Sequence, residues 1–433
     1  MSSVFPLSDL GFDVVELVLG QVSLHSDLVS FAACSRACHE LVVPRHSEYR
    51  ILRLRELRPQ VWAHLARRPD LARYIREVCW ESWSPKPEGP ERYPSTLLDS
   101  TKVPNDPETV LADICKALKS MEHLQSFTWS KAEPSIYRIL QGSPSLFRLC
   151  IHDVRRDHGL GPPDAEDANY PLWHISNLKE LSLSQRWWPQ RLHEWFLRCP
   201  DLQVLQIRLP PDPLLAECSF PHLRRLDLLA PAAVETSVIE FLQRHPTIED
   251  LQWFPHTESL QLGHGSLPRL KRLTTTTEFA CTVLSDPTVP HRAIECVGQL
   301  SLDERTWRAL AAINTTRLKE LQIWRHDNLE TIHRLAELVP QLRRLEIPRF
   351  GLATRSDADK NHTVDDYIEA VSRFPCLEFL DSSLWLALGG NSEKINALAS
   401  RCPNLQRLGQ SKSDAYVEIV LIRKGGEVVW EEE

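Results

Sequence analysis

The chain is 433 residues long, with 42% hydrophobic residues, 25% charged residues and a formal net charge of −8. That length is enough to bury a large core, while 50 Lys and Arg interspersed with 58 Asp and Glu form neither the basic stripe of a nucleic-acid binder nor a membrane-seeking patch. No apolar run approaches the roughly 20 residues that span a bilayer, and the opening MSSVFPLSDLGFD lacks the basic, greasy and small-residue order of a secretory signal. A cytoplasmic and/or nuclear location is therefore expected.

Residues 1–55 carry three apolar patterns of helical period, divided by short polar breaks: Val14, Val15, Leu17, Val18 and Val22; then Leu28, Phe31 and Ala32; then Cys38, Leu41 and Val42. Gly11 with Asp13 reads as a helix entry, and Ser26 or Asp27 as the cap of the second helix. Leu10 with the paired aliphatics that follow, Asp27-Leu28, Cys34 with Arg36, and Leu41-Val42 with Pro44 resemble the F-box, a three-helix module of this size. The resemblance implies that apolar side chains of the first helices pack into a Skp-type linker protein and, through it, meet a cullin. Carried over position by position, the contact set is Leu10, Val14, Leu17, Val18, Val22, Leu24, Leu28 and Phe31, some of which must instead face the module's own interior. The competing reading is an amphipathic cap over the open end of a repeat array.

Between Arg45 and Arg58 lie five arginines, and the segment ends in a predicted first strand at Ile75, Val78 and Trp80. Glu48 and Glu56 dilute the charge, which favours a solvated face over an RNA or phosphate site.

From residue 121 a pattern LxxLxL returns. Its first apolar residue is Leu124, Leu146, Leu178, Leu202, Leu223, Ile248, Leu270, Ile294, Leu318, Leu342, Leu377 and Leu405, mostly 21 to 25 residues apart. The last two apolar positions alternate as in a short strand; the intervening segments, such as VETSVIEFLQRHP and LETIHRLAELVP, have helical period. Pro246, Pro340, Pro375 and Pro403 lack the amide that a continuing helix would use, so helix ends and strand begins at a constant offset. One strand and one helix cannot bury their own apolar faces, so such units stack into a continuous core with a parallel sheet.

This repetition resembles the leucine-rich repeat family. The expected fold class is α/β: an F-box-like helical module (1–55), a leucine-rich-repeat solenoid (56–411) with its parallel sheet on the concave side and helices outside, and a β-hairpin cap (412–433) signalled by Gly425-Gly426 between alternating segments. Proline-rich or polar insertions at 83–108, 155–171 and 349–362 are expected to project as loops. Positions three after the last apolar residue hold Arg186, Pro210, Pro231, His256, His326 and Phe350, so no asparagine ladder is expected.

If the leucines point inward, the residues beside them line the concave face: Arg208, Arg225, Asp227, Asp250, Phe254, Arg272, Glu320, Trp324, Arg344, Glu346 and Asp381. Mixed charge with aromatics suits an unknown protein substrate, with Phe254, Trp324, Trp187 and Trp188 as candidate anchors. The eleven cysteines contain no CxxC pair and read as small buried residues, with neither disulfides nor metal expected. His193-Glu194 has Leu197 where a metalloprotease needs its second histidine, and GHGSL at 263–267 is not a nucleophile elbow. No catalytic residue, cofactor or membrane contact is implied. The expected function is a substrate-recognition adaptor of a Skp, cullin and F-box ubiquitin ligase; the alternative is a non-ligase repeat scaffold.

Overall fold

The computed structural model describes residues 11–22, 25–43, 45–80, 91–94, 106–130, 133–152, 169–186, 189–210, 213–286, 288–289, 292–313, 315–325, 328–347, 363–382, 384, 388, 391–411, 416–424 and 427–432. The chain divides into two compact units, residues 1–200 and 201–433.

The first unit opens with α1 (Phe12–Gln21), α2 (His25–Ala32) and α3 (Arg36–Val42). Helix α2 begins ahead of the predicted cap, so Ser26 and Asp27 lie within its first turn. Ser35 caps α3 by accepting a hydrogen bond from the Cys38 amide. Val15, Leu19, Leu28, Ala32 and Val42 form one small buried cluster, with Val22, Phe31, Leu41 and Val43 packed against it.

Then come β1 (Ile51–Leu54), α4 (Pro59–Arg67), α5 (Pro69–Ala72), β2 (Glu77–Trp80), α6 (Pro107–Lys119), β3 (Ser126–Trp129), α7 (Pro134–Leu140), β4 (Arg148–Ile151), β5 (Glu180–Arg186) and α8 (Pro189–Phe196). Strands β1 to β5 pair in parallel in chain order. The first strand is therefore β1, ahead of the one expected at Ile75 to Trp80. Leu52 and Leu54 are buried on alternate positions, but the single-residue alternation is hidden among arginines. The core here is aromatic: Phe127 stacks on Trp129 at 5.3 Å between centroids, and Trp62 lies 5.6 Å from Trp129. Of the three predicted insertions, 349–362 falls wholly outside the described residues. Within 83–108 the described Arg92 exchanges backbone hydrogen bonds with Arg53 on the outer side of β1, and at the end of 155–171 Tyr170 and Pro171 are buried.

The second unit contains β6 (Val204–Arg208), β7 (Arg225–Leu229), α9 (Glu235–Arg244), β8 (Asp250–Trp253), β9 (Arg272–Thr275), α10 (Thr277–Leu284), β10 (Cys296–Ser301), α11 (Glu304–Ala312), β11 (Glu320–Arg325), α12 (Leu329–Leu338), β12 (Arg344–Ile347), α13 (Val364–Ser372), β13 (Phe379–Ser382), α14 (Ser392–Arg401), β14 (Arg407–Ser411), β15 (Tyr416–Lys424) and β16 (Glu427–Glu432). Strands β6 to β14 are parallel and in chain order. Their register places Leu205, Leu226, Leu251, Leu273, Val297, Leu321, Leu345, Leu380 and Leu408 in one buried row. That row is the middle position of the repeat. Each leucine fills the space between strand and helix that its neighbours in the row also fill, so the core is continuous although each repeat is small. Strand β15 runs antiparallel to both β14 and β16; the two glycines between β15 and β16 lie outside the described residues.

Among the described residues the register slips within β10, between Val297 and Leu300 and again between Leu300 and Ser301, and Gln299 takes a left-handed φ of 65°. At Gly298 a Cβ would stand 2.7 Å from Gln322 Oε1 and 2.8 Å from Thr274 Oγ1, so any side chain there would displace these neighbours.

Candidate functional site

Two surfaces carry the residues singled out from the sequence. The first is α1. Val14, Leu17 and Val18 share one helix face at spacings of three and four, and are 46%, 68% and 54% exposed. Val15 and Leu19, on the other side, are buried. Of the remaining expected contacts, Leu28 is fully buried within the three-helix cluster, Val22 and Phe31 are half-buried against it, and Leu10 and Leu24 lie outside the described residues. Val29, which the sequence pattern did not single out, is 50% exposed on α2.

What holds α1 in place is polar. Glu16 accepts hydrogen bonds from Arg45 Nη1 at 3.1 Å and pairs with His46 Nε2 at 2.8 Å. The buried Arg50 guanidinium donates to the carbonyls of Leu19, at 3.4 Å, and Val22, and Arg76 donates to Gly20 O. These are last-turn carbonyls of α1 and its cap, of which Leu19 O also accepts from the Val22 amide, and they sit at the negative end of the helix dipole. Burial, reinforced by the like charges of Arg76 and Arg92, lowers the Arg50 pKa to about 10, which still leaves it cationic at neutral pH. Four of the five arginines between Arg45 and Arg58 are thus committed within the unit, since Arg53 pairs with Glu77 and Arg58 with Glu91. The cluster expected to be a solvated face is a docking seam.

Burial lowers the pKa of His46, with Arg50 and Arg76 acting in the same direction and Glu16 opposing them. Because the folded chain binds that proton less readily than the unfolded chain, its contribution is fully present above the ordinary histidine pKa of 6.5 and is lost as pH falls below it through the lowered folded-state value. We expect a lower Tm at pH 5.5 than at pH 7.5, roughly a unit either side of the free-histidine value, with a smaller pH-dependent difference in His46→Gln. An unchanged difference in that variant would remove His46 as its source.

The second surface is the face of the sheet in the second unit that lies between the buried positions. Arg208, Arg225 and Arg272 are exposed there; Asp227, Asp250, Phe254, Glu320, Arg344, Glu346 and Asp381 are half-buried; Trp324 is 53% exposed. Trp187 and Trp188 are outside the described residues. Register sets Arg225, Asp250 and Arg272 side by side on adjacent strands. They neutralise one another: Asp250 lies 3.6 Å from Arg225 and 3.9 Å from Arg272, and Arg272 reaches Glu320 at 3.1 Å. Arg344 pairs with Glu346 at 2.9 Å and lies over the Phe379 ring at 4.2 Å. Such exposed pairs add little stability, typically under about 1 kcal/mol each, but they hold long side chains in fixed positions on an otherwise open face.

The eleven cysteines are all free thiols. Burial pushes Cys199, Cys218 and Cys402 up to about 11 and Cys296 up to about 12, which keeps them protonated and unreactive. Among the described residues no helix is long and apolar enough to cross a membrane.

The fold and these two surfaces define a leucine-rich-repeat-like array preceded by a small helical bundle with one apolar face uncovered. No protein-family model matches the sequence, and no curated protein matches it. Among solved structures, it is similar to a chain of the Rad7 and Elc1 complex from yeast, at 13% identity and a TM-score of 0.43, covering 92% of this chain and 85% of that one. It is also similar to the leucine-rich repeat-containing protein LegL7 from Legionella pneumophila, at 11% identity and a TM-score of 0.35, covering 70% and 88%. Likenesses of this size say nothing of partner or activity.

Proposed function

We propose that the chain is a substrate-recognition adaptor of a Skp, cullin and F-box ubiquitin ligase, with α1 to α3 as the F-box-like module. The observation that carries this reading is the apolar face of Val14, Leu17 and Val18, left uncovered on a helix whose opposite side is buried and whose end is fixed by Arg50 and Arg76. A helix that needed only to cap the repeats would turn its apolar residues inward; several large exposed apolar side chains on one short helix mark a partner surface. A Skp-type linker would cover that face and connect the chain to a cullin. The open sheet face of the repeats would hold the target protein. No side chain of this chain performs chemistry in such a scheme; its effect is to raise the local concentration of a target beside a ubiquitin-charged enzyme.

Calorimetric titration of the full chain with a Skp-type protein tests the reading, alongside a Leu17→Asp, Val18→Asp variant. Both residues are exposed, so the variant should unfold at the same temperature as the parent. Binding should weaken about 100-fold, as expected when two central apolar contacts of roughly 1–2 kcal/mol each are lost. If the intact, folded chain shows no binding, the ligase role fails and a capped repeat scaffold remains.

A further inference from the structure

The charged row described above leaves one carboxylate out. Asp227 lies on β7 between Gln206 of β6 and Gln252 of β8 in register, on the open face of the sheet. Adjacent strands are about 4.8 Å apart, so an amide, a carboxylate and a second amide stand abreast within roughly 10 Å. At this repeat position β6, β8, β9, β10 and β11 carry neutral residues, while β7, β12 and β13 carry the carboxylates Asp227, Glu346 and Asp381. Glu346 pairs with Arg344; Asp227 has neither a hydrogen bond nor an ion pair among the described residues, since Arg225 is directed to Asp250. Half-burying a carboxylate without a partner opposes folding. Burial and the neighbouring Asp250 raise the Asp227 pKa, and only the field of Arg225 opposes them. Toward the strand ends, Arg208 is paired in register with Leu229, which is 49% exposed, and Phe254 follows one residue after the Leu228 and Trp253 pair. An apolar edge therefore borders the carboxylate.

We propose that Asp227 with Gln206 and Gln252 forms a subsite for a lysine or arginine side chain of an extended segment in the bound target protein, with Leu229 and Phe254 taking the aliphatic stem or an adjacent apolar residue. The carboxylate supplies the charge, the Gln252 amide oxygen accepts one of the cation's remaining donors, and the edge covers the methylene chain. The subsite rests on the reading of this face as the one that holds a target, and it names the chemistry that target must present.

The test uses the full chain and short acetylated peptides in three sets that differ only at a central residue, Lys or Arg, Gln, or Glu, each beside a leucine. The basic set is expected to bind at least about tenfold more tightly than the other two, the size of one charge-assisted contact. Asp227→Asn should abolish that preference without lowering Tm, because it removes an unpartnered charge, and Leu17→Asp, Val18→Asp should keep it. Absence of a basic preference, an Asp227→Asn variant that retains it, or a lower Tm in that variant would each overturn the subsite. A chain that selects basic peptides but ignores a Skp-type protein keeps the subsite and loses the ligase role; the converse result does the opposite.

Discussion

Replacing Leu321 by aspartate is expected to abolish the cooperative unfolding transition of the second unit at neutral pH. Leu321 is fully buried on β11, in register with Val297 on one side and Leu345 on the other. Withdrawing its apolar surface costs about 1.5–3 kcal/mol, and placing a carboxylate among leucines adds several kcal/mol more. Together these approach the roughly 5–15 kcal/mol that stabilises a typical domain. A repeat array has no distant contacts to compensate, because each repeat rests on its neighbours. Leu321→Ala, which leaves only a cavity, should cost about 2–5 kcal/mol and leave a transition at lower urea. Gln322, the next residue, faces the open side, so Gln322→Asp should change the urea midpoint far less. A midpoint for Leu321→Asp equal to that of the unsubstituted chain would contradict the buried row.

Arg50→Ala is expected to release α1 while leaving the repeats folded. The guanidinium is buried and satisfies carbonyls at the end of α1 that no other described backbone donor reaches, apart from the Val22 amide on Leu19 O. Removing a buried charged donor and leaving its acceptors unpaired costs about 3–5 kcal/mol. The repulsion among Arg50, Arg76 and Arg92 is relieved at the same time, which offsets part of that. Hydrogen exchange should show α1 amides losing protection while β3 and β4 keep theirs, and affinity for a Skp-type protein should fall although Leu17 and Val18 are untouched. Unchanged protection of α1 would mean that its apolar contacts with α2 and α3 suffice to hold it.

The repeats were legible in the sequence because their signal is local and recurs. LxxLxL specifies which residues of a strand turn inward, proline marks where each helix must stop, and about 24 residues later the same instructions return. That is enough to fix the buried row from Leu205 to Leu408. Three helices before Pro44 were legible for the same reason.

Other features depended on contacts that local pattern does not encode. The alternation of β1 is only four residues long and carries an arginine, so the sequence hides it, and pairing with β2 is what buries Leu52 and Leu54. Arg50 and Arg76 meet α1 across 31 and 56 residues of chain, and in the sequence they were indistinguishable from a solvated basic stretch. Of the eight expected contact residues, the six that are described were sorted into exposed, half-buried and buried only by the packing of three helices around Val15, Leu19 and Leu28. On the sheet face, the sequence alone determined which side chains lie between the buried leucines. Tertiary structure decided which of them neutralise each other: Arg225 and Asp250 are strangers in sequence and neighbours in register, and Asp227 has no partner among the described residues because that register gives it glutamines on both sides.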